Sequence, residues 1–195
     1  LRSPTWERPL HPPCFSCSLT REEGDGLRVA TGQVTGQPEG YLAGTWTPHA
    51  NFDDGTGHAP VEVVWAALDC PGSIVWMVKG TPVGLLGTMT AEVTKLPKIG
   101  EPHIVTTWPI GSEGRKHYSG VALFTADGEL LARGHQIWIG RNPNAPPRPP
   151  QPPIRNPFPN EPIRGRRTAA ASTRIAYHSP RTARWEKPAF QPAAE

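Results

Sequence analysis

The chain has 195 residues, enough for one domain of ordinary size and a sizeable appendage. Its net charge of +3 averages two unlike parts: residues 141–195 hold 13 of the 25 prolines, with ten Lys or Arg against three Asp or Glu, whereas the rest carries 10 basic and 14 acidic residues. An acidic body argues against nucleic-acid binding, no run of eighteen apolar residues points to a transmembrane segment, and Leu1-Arg2-Ser3-Pro4 lacks the order of a secretory signal, so a cytoplasmic protein is expected.

Three parts follow along the chain: an N-terminal extension over 1–26, a folded domain over 27–140 and a proline- and arginine-rich tail over 141–195. In the extension, Cys14 and Cys17 have the spacing of half a zinc site. A structural zinc wants four ligands, and neither a second cysteine pair nor closely spaced histidines follow. With Cys70 far away in an apolar segment, the pair reads as packed, reduced thiols and no metal is expected.

Leu27–Val34 alternates loosely before Gly36, and Gly40–Pro48 places aromatic and β-branched residues between turn signals; both read as strands of one hairpin. His49–His58 gathers Asn51, Asp53, Asp54, Gly55 and Gly57 with little apolar content, which marks a loop. Pro60 suits the first position of a helix, Glu62 suits its first turn, and Val61, Val64, Trp65 and Leu68 recur at helical spacing. This helix is apolar nearly all round and is expected to be buried. Pro71-Gly72 should kink or interrupt it before Ile74–Val78 continues, with Gly80 as its end.

Three long β-type stretches come next: Val83–Val93, His103–Trp108 extended through Lys116 to Thr125, and Leu130–Ile139. Asp127-Gly128 supplies the positive φ of a tight turn between the last two. The order β-β-α-β-β-β predicts an α+β domain in which an antiparallel sheet curls around one long central helix. Such a sheet leaves an edge strand that invites a second copy.

Cys14-Phe15-Ser16-Cys17 with Gly26-Leu27-Arg28 resembles the opening of many hot-dog thioesterase-like proteins. His58-Ala59-Pro60 with Val64-Trp65-Ala66-Ala67-Leu68-Asp69-Cys70-Pro71-Gly72 is similar to the loop-to-helix segment of the actinobacterial branch, related to the phenylacetate-pathway thioesterase superfamily. Leu86–Ala91, Gly100–His103 and Ala126–Gly134 match the strand and turn rhythm of that family. The resemblance covers about residues 14–140 and implies a hot-dog fold. It also implies a homodimer or higher oligomer with sites between subunits, an acyl-CoA or acyl-carrier thioester as ligand, and hydrolysis without a cofactor.

Thioester hydrolysis needs a carboxylate to activate water or to attack, and donors that stabilise the oxyanion. Asp69 lies in an apolar helix, where an unpaired carboxylate is costly and its pKa tends to rise, and it matches the family's acidic residue on the central helix. An Asp that caps the segment after Pro71 explains it equally well. Asn51 resembles the family's loop asparagine, with Asp53 or Asp54 as alternatives for its role. Gly55 and Gly57 permit close approach of a ligand, and the amides of His58 and Ala59 lie at the helix start, where they could polarise a carbonyl. A polar turn held by ordinary Asx hydrogen bonds is the bland alternative for each. Cys70 as a nucleophile with His58 or His49 as base is the weaker chemistry, since a cysteine on an apolar helix is usually core.

Arg115 and Lys116, near a hairpin, suit CoA phosphates or simply a solvated turn, and Trp46, Trp65, Trp76, Trp108 and Trp138 suit core or dimer interface. Residues 144–153 favour polyproline II, followed by Arg164-Gly165-Arg166-Arg167 and the spaced aromatics Tyr177, Trp185 and Phe190. This composition supports a second reading, an accessory subunit tethered to another protein through the tail.

Overall fold

The computed structural model describes residues 14–81, 83–142 and 144. Compact packing divides the chain into Leu1–Ala145 and Pro146–Glu195, and every described residue belongs to the first unit. The polyproline stretch, the arginine cluster and the proposed tether all lie outside the described residues.

The first expected strand is largely absent. Only Gly32–Gln33 (β1) pairs with Leu42–Trp46 (β2), through Gly32 with Ala43 and Gln33 with Leu42. Upstream, the amides of Leu27 and Val29 donate instead to the carbonyls of Phe15 and Ser16, both at 2.8 Å, and Arg28 sits at φ 56. The alternation seen in the sequence is therefore real, but its backbone partner is the Cys14–Cys17 turn rather than β2. Gly44 lets the two segments close, because a Cβ there would stand 1.9 Å from the Ala30 carbonyl oxygen.

After a single 3-10 turn at Ala50–Phe52, the helical segment forms as two helices, Val61–Asp69 (α1) and Pro71–Val78 (α2). Cys70 keeps right-handed helical angles between them, so Pro71 breaks the hydrogen-bond ladder without reversing the chain. Burial is uneven. Residues 71–76 of α2 are all buried, whereas α1 buries Val64, Ala67 and Leu68 and leaves Val61 42% exposed. The expectation of a helix covered all round thus holds for α2 and fails for α1, whose outer face the single chain does not cover. The 18 residues of Val61–Val78 are long and apolar enough to cross a bilayer by length and composition, yet half of the segment is buried inside the protein.

Four long strands follow rather than three: Val83–Val93 (β3), His103–Glu113 (β4), Lys116–Thr125 (β5) and Leu130–Gly140 (β6). The middle stretch, continuous in sequence pattern, folds back at Gly114-Arg115, where Gly114 takes φ 55. The β5–β6 turn forms as expected, with Gly128 at φ 88 and its amide donating to the Thr125 carbonyl. All pairings are antiparallel and the sheet order is β1-β2-β4-β5-β6-β3. The edge strand β3 carries two irregularities against β6, where Gly84 and Gly87 are the unpaired extra residues. Such bulges sharpen the local bend and help a sheet to curl.

The inner face of the sheet and the helices share one core. Val64, Ala67 and Leu68 of α1 meet Val105, Val121, Leu123 and Ala132, and Ile74, Val75 and Trp76 of α2 pack with Leu42. Burying each large aliphatic side chain stabilises the domain by about 1.5–3 kcal/mol.

Candidate active site

The break between α1 and α2 is the most polar point of the core. Pro71 has no N–H, and the Ser73 amide turns to the Cys70 carbonyl at 2.9 Å. The carbonyls left behind are met by Gln136, fully buried on β6, whose Nε2 donates to Leu68 at 2.7 Å and Asp69 at 2.9 Å. Its Oε1 accepts from Trp138 Nε1 at 3.0 Å. Nearby, Trp76 Nε1 donates to Ser119 Oγ, which donates to the Gly72 carbonyl, both at 2.8 Å. Gly72 must be glycine, since a Cβ would lie 1.6 Å from Gln136 Oε1.

The Asp69 side chain emerges at this break. Its Oδ1 is buried with no hydrogen-bond partner, and burial raises the carboxyl above the usual carboxylate range. The capping alternative is not what forms, because α2 receives no side-chain cap and its Pro71 stands in the first turn. A carboxyl with a buried oxygen that no described residue bonds is suited to accept a proton from a bound reactant.

The loop before α1 is assembled differently from the functional expectation. Asp53 Oδ1 accepts from the amides of Gly55 and Gly57, both at 2.9 Å, and Asp54 Oδ1 accepts from Thr56 at 3.1 Å. These bonds hold the Asp54 carboxyl below its ordinary range, chiefly through Thr56. Asp54 is therefore a turn-holding anion rather than a base. Asn51 Nδ2 donates to the Gly24 carbonyl at 3.3 Å, and the Asn51 amide donates to His49 Nδ1. The Ala59 amide is also occupied, donating to Pro97 at 2.9 Å. His58 pairs with Lys98 in an isolated antiparallel bridge whose bonds are made by its neighbours, so the His58 N–H points away from Lys98. Of the two amides, His58 is the one this arrangement leaves for a ligand.

Loop and carboxylate do not meet within one chain. They stand at opposite ends of α1, whose nine residues span roughly 12 Å. Arg115 and Lys116 are exposed at the β4–β5 turn, with Arg115 Nε donating to the Gly140 carbonyl at 3.0 Å. Lys116 lies three residues, about 10 Å, along β5 from Ser119.

Cys70 is not placed as a nucleophile. Its thiol faces Cys14, Sγ to Sγ 3.5 Å, and the Cys17 thiol together with burial pushes it far above the ordinary thiol range. His58 Nδ1 bonds the Thr56 carbonyl and His49 Nδ1 accepts from Asn51, so neither imidazole serves it. Trp46, Trp76 and Trp138 are core, as expected, while Trp65 and Trp108 are half-buried. The sequence reading missed Gln136 and Ser119. Their signal was available, because each is a polar residue at an inward position of a strand that otherwise points apolar groups inward.

No protein-family model matches the chain, and no curated protein matches it in sequence. Solved structures do resemble it. A thioesterase superfamily protein is 19% identical with a TM-score of 0.51, covering 57% of this chain and 55% of its own, so this chain spans about half of that relative's length. The E. coli PaaI protein from the phenylacetic acid degradation operon is 11% identical, TM-score 0.50, over 56% of this chain and 80% of its own. A Streptococcus mutans UA159 protein solved with acetyl CoA bound is 12% identical, TM-score 0.51, over 57% of this chain and 88% of its own. The fold is the hot dog. At these identities the likeness is one of backbone fold.

Proposed function

We propose that this hot-dog protein binds acyl-CoA or acyl-carrier thioesters and hydrolyses them in a site completed by a second copy of the chain. The observation that carries the reading is Asp69, a carboxyl at the helix break with a buried oxygen that no group among the described residues bonds. Solved proteins of the same fold are described as thioesterases and one holds acetyl CoA, which supports a thioester as the ligand class.

In this reading Asp69 takes a proton from water as the water oxygen bonds to the acyl carbon. The His58 N–H donates to the resulting oxyanion. The C–S bond then breaks, and the thiolate leaves with the proton. The roughly 12 Å length of α1, which separates the His58 loop from Asp69, is too far for one carbonyl to meet both, so the loop of one copy faces Asp69 of the other. The exposed side chains of Arg115 and Lys116 would contact the phosphates of CoA.

The test is acyl-CoA hydrolysis across chain lengths by wild type and Asp69→Asn. Loss of a general base should lower kcat by roughly 10²–10⁴-fold with folding intact. Absence of turnover with every thioester, or an Asn variant as fast as wild type, would overturn the proposal.

A further inference from the structure

The three cysteines, 56 residues apart at the extremes of the set, converge on one point. Their Sγ atoms all lie within 4.8 Å of one another, and Cys14 and Cys70 are 3.5 Å apart. An ion bound by thiolates at about 2.3 Å in tetrahedral geometry spaces its sulfurs about 3.8 Å apart, inside that range. We propose that Cys14, Cys17 and Cys70 bind a single zinc-class divalent ion with water in the fourth position. This goes beyond the thioester reading and does not depend on it.

Several observations favour an ion over a packed set of thiols. Cys14 and Cys17 stand on a tight turn closed by the Ser18 amide on the Cys14 carbonyl, which turns both side chains to one side. Cys70 is held at the helix break by the constraint that Pro71 imposes, so the third ligand is fixed independently of the first two. Asp69, next to Cys70 in the chain, adds a negative group with an unpartnered buried oxygen, outside the set of three sulfurs. No Lys, Arg or His forms an ion pair with Asp69 among the described residues. Three sulfur donors select zinc or another thiophilic ion over magnesium or calcium. A span of 4.8 Å suits one ion at its centre.

Bound there, the ion would tie the segment at 14–29 to the centre of the helix pair. The bonds of Leu27 and Val29 to Phe15 and Ser16 are internal to that segment, which meets the domain through an edge-on contact of Phe15 with Phe52, centroids 5.8 Å apart, and the Asn51 Nδ2 bond to the Gly24 carbonyl. Metal loading requires the thiols to lose their protons, so affinity should fall with pH.

The full chain is reduced, stripped with chelator and titrated with Co²⁺ and Zn²⁺. The proposal expects one Co²⁺ per chain, thiolate-to-cobalt charge-transfer absorption, displacement by Zn²⁺, and loss of reactivity of all three thiols towards Ellman's reagent until chelator is added. Cys14→Ser and Cys17→Ser, in the peripheral turn, should each weaken binding at least tenfold while circular dichroism stays that of wild type. Absence of the charge-transfer band, or three thiols equally reactive with and without zinc, would overturn the site. So would an intramolecular disulfide, formed by exchange with oxidised glutathione in a glutathione redox buffer, that takes the place of metal uptake.

Discussion

Gln136 donates its side-chain amide to the Leu68 carbonyl at 2.7 Å, across the core from β6 to the end of α1. Together with its bond to the Asp69 carbonyl, this gives donors to two carbonyls at the end of α1, where the Pro71 ring interrupts the helical ladder. A proline break inside a core is tolerable because one buried amide answers it.

Replacing Gln136 by Leu should therefore destabilise the domain by about 2–5 kcal/mol, since two carbonyls and Trp138 Nε1 lose their partner at once. Urea unfolding of the variant measures it. A loss under about 1 kcal/mol would mean that water replaces the amide at the break.

Gly72→Ala should be nearly as damaging through a different cause. The new methyl would overlap Gln136 Oε1, and relief by moving α2 or the amide costs about 1–3 kcal/mol or more. Gly111→Ala, where a Cβ meets nothing within 4 Å, is the control and should leave the unfolding midpoint close to wild type. Equal effects at the two positions would contradict the packing argument.

In the loop, Asp53 and Asp54 should separate. Asp53→Ala removes the acceptor for two amides and should cost about 1 kcal/mol of stability, with kcat/KM for a thioester substrate falling as His58 loses its fixed position. Asp54→Ala should change neither measurably, for it holds only the Thr56 turn at an exposed position. A larger loss at Asp54 would show that it acts on substrate.

Acid should weaken the fold before carboxylates titrate. Burial holds the imidazoles of His103, His117 and His135 below the ordinary 6.5. A histidine with a depressed folded pKa binds its proton less readily when folded than when unfolded. Its stabilising contribution is complete above 6.5 and is lost as pH falls towards the folded value. Urea midpoints should therefore drop below pH 6.5, and less steeply in His117→Phe, which keeps an aromatic ring against Trp76. Parallel slopes would remove His117 from this account.

Much of the fold was legible because its signals are local. The spacing of Val64 and Leu68 and the pair Asp127-Gly128 each fix a nearby backbone choice and appear where expected, while Pro60 stands one residue earlier than expected, at ψ 165 before the first helical residue Val61. What was hidden depends on contacts between distant segments. Leu27 and Val29 alternate as a strand does, but nothing in their spacing says that Phe15 and Ser16 are the partners. The turn at Gly114 was masked by neighbours that favour strand on both sides. At the site, Asp69 stood out as a carboxylate among apolar residues, whereas the Asx bonds of Asp53 and the Pro97 carbonyl on Ala59 became visible only when the loop closed. The meeting of Cys70 with Cys14 and Cys17 was equally a matter of tertiary distance.

The two glycine irregularities in β3 make a statement about parity. Val83 and Leu86 point inward before and between them, and Met89, Ala91 and Val93 point inward after them, while Leu85 is left outside at 73% exposure. Counted by paired positions, Val83, Leu86, Met89, Ala91 and Val93 fall at every second place, so each glycine is the one residue that lets an odd sequence spacing stay on one face. Deleting either would leave every inward residue on its face and remove one bend, and deleting both would give a straighter, flatter edge. The two positions thus set the curvature of the edge and not the facing of its side chains.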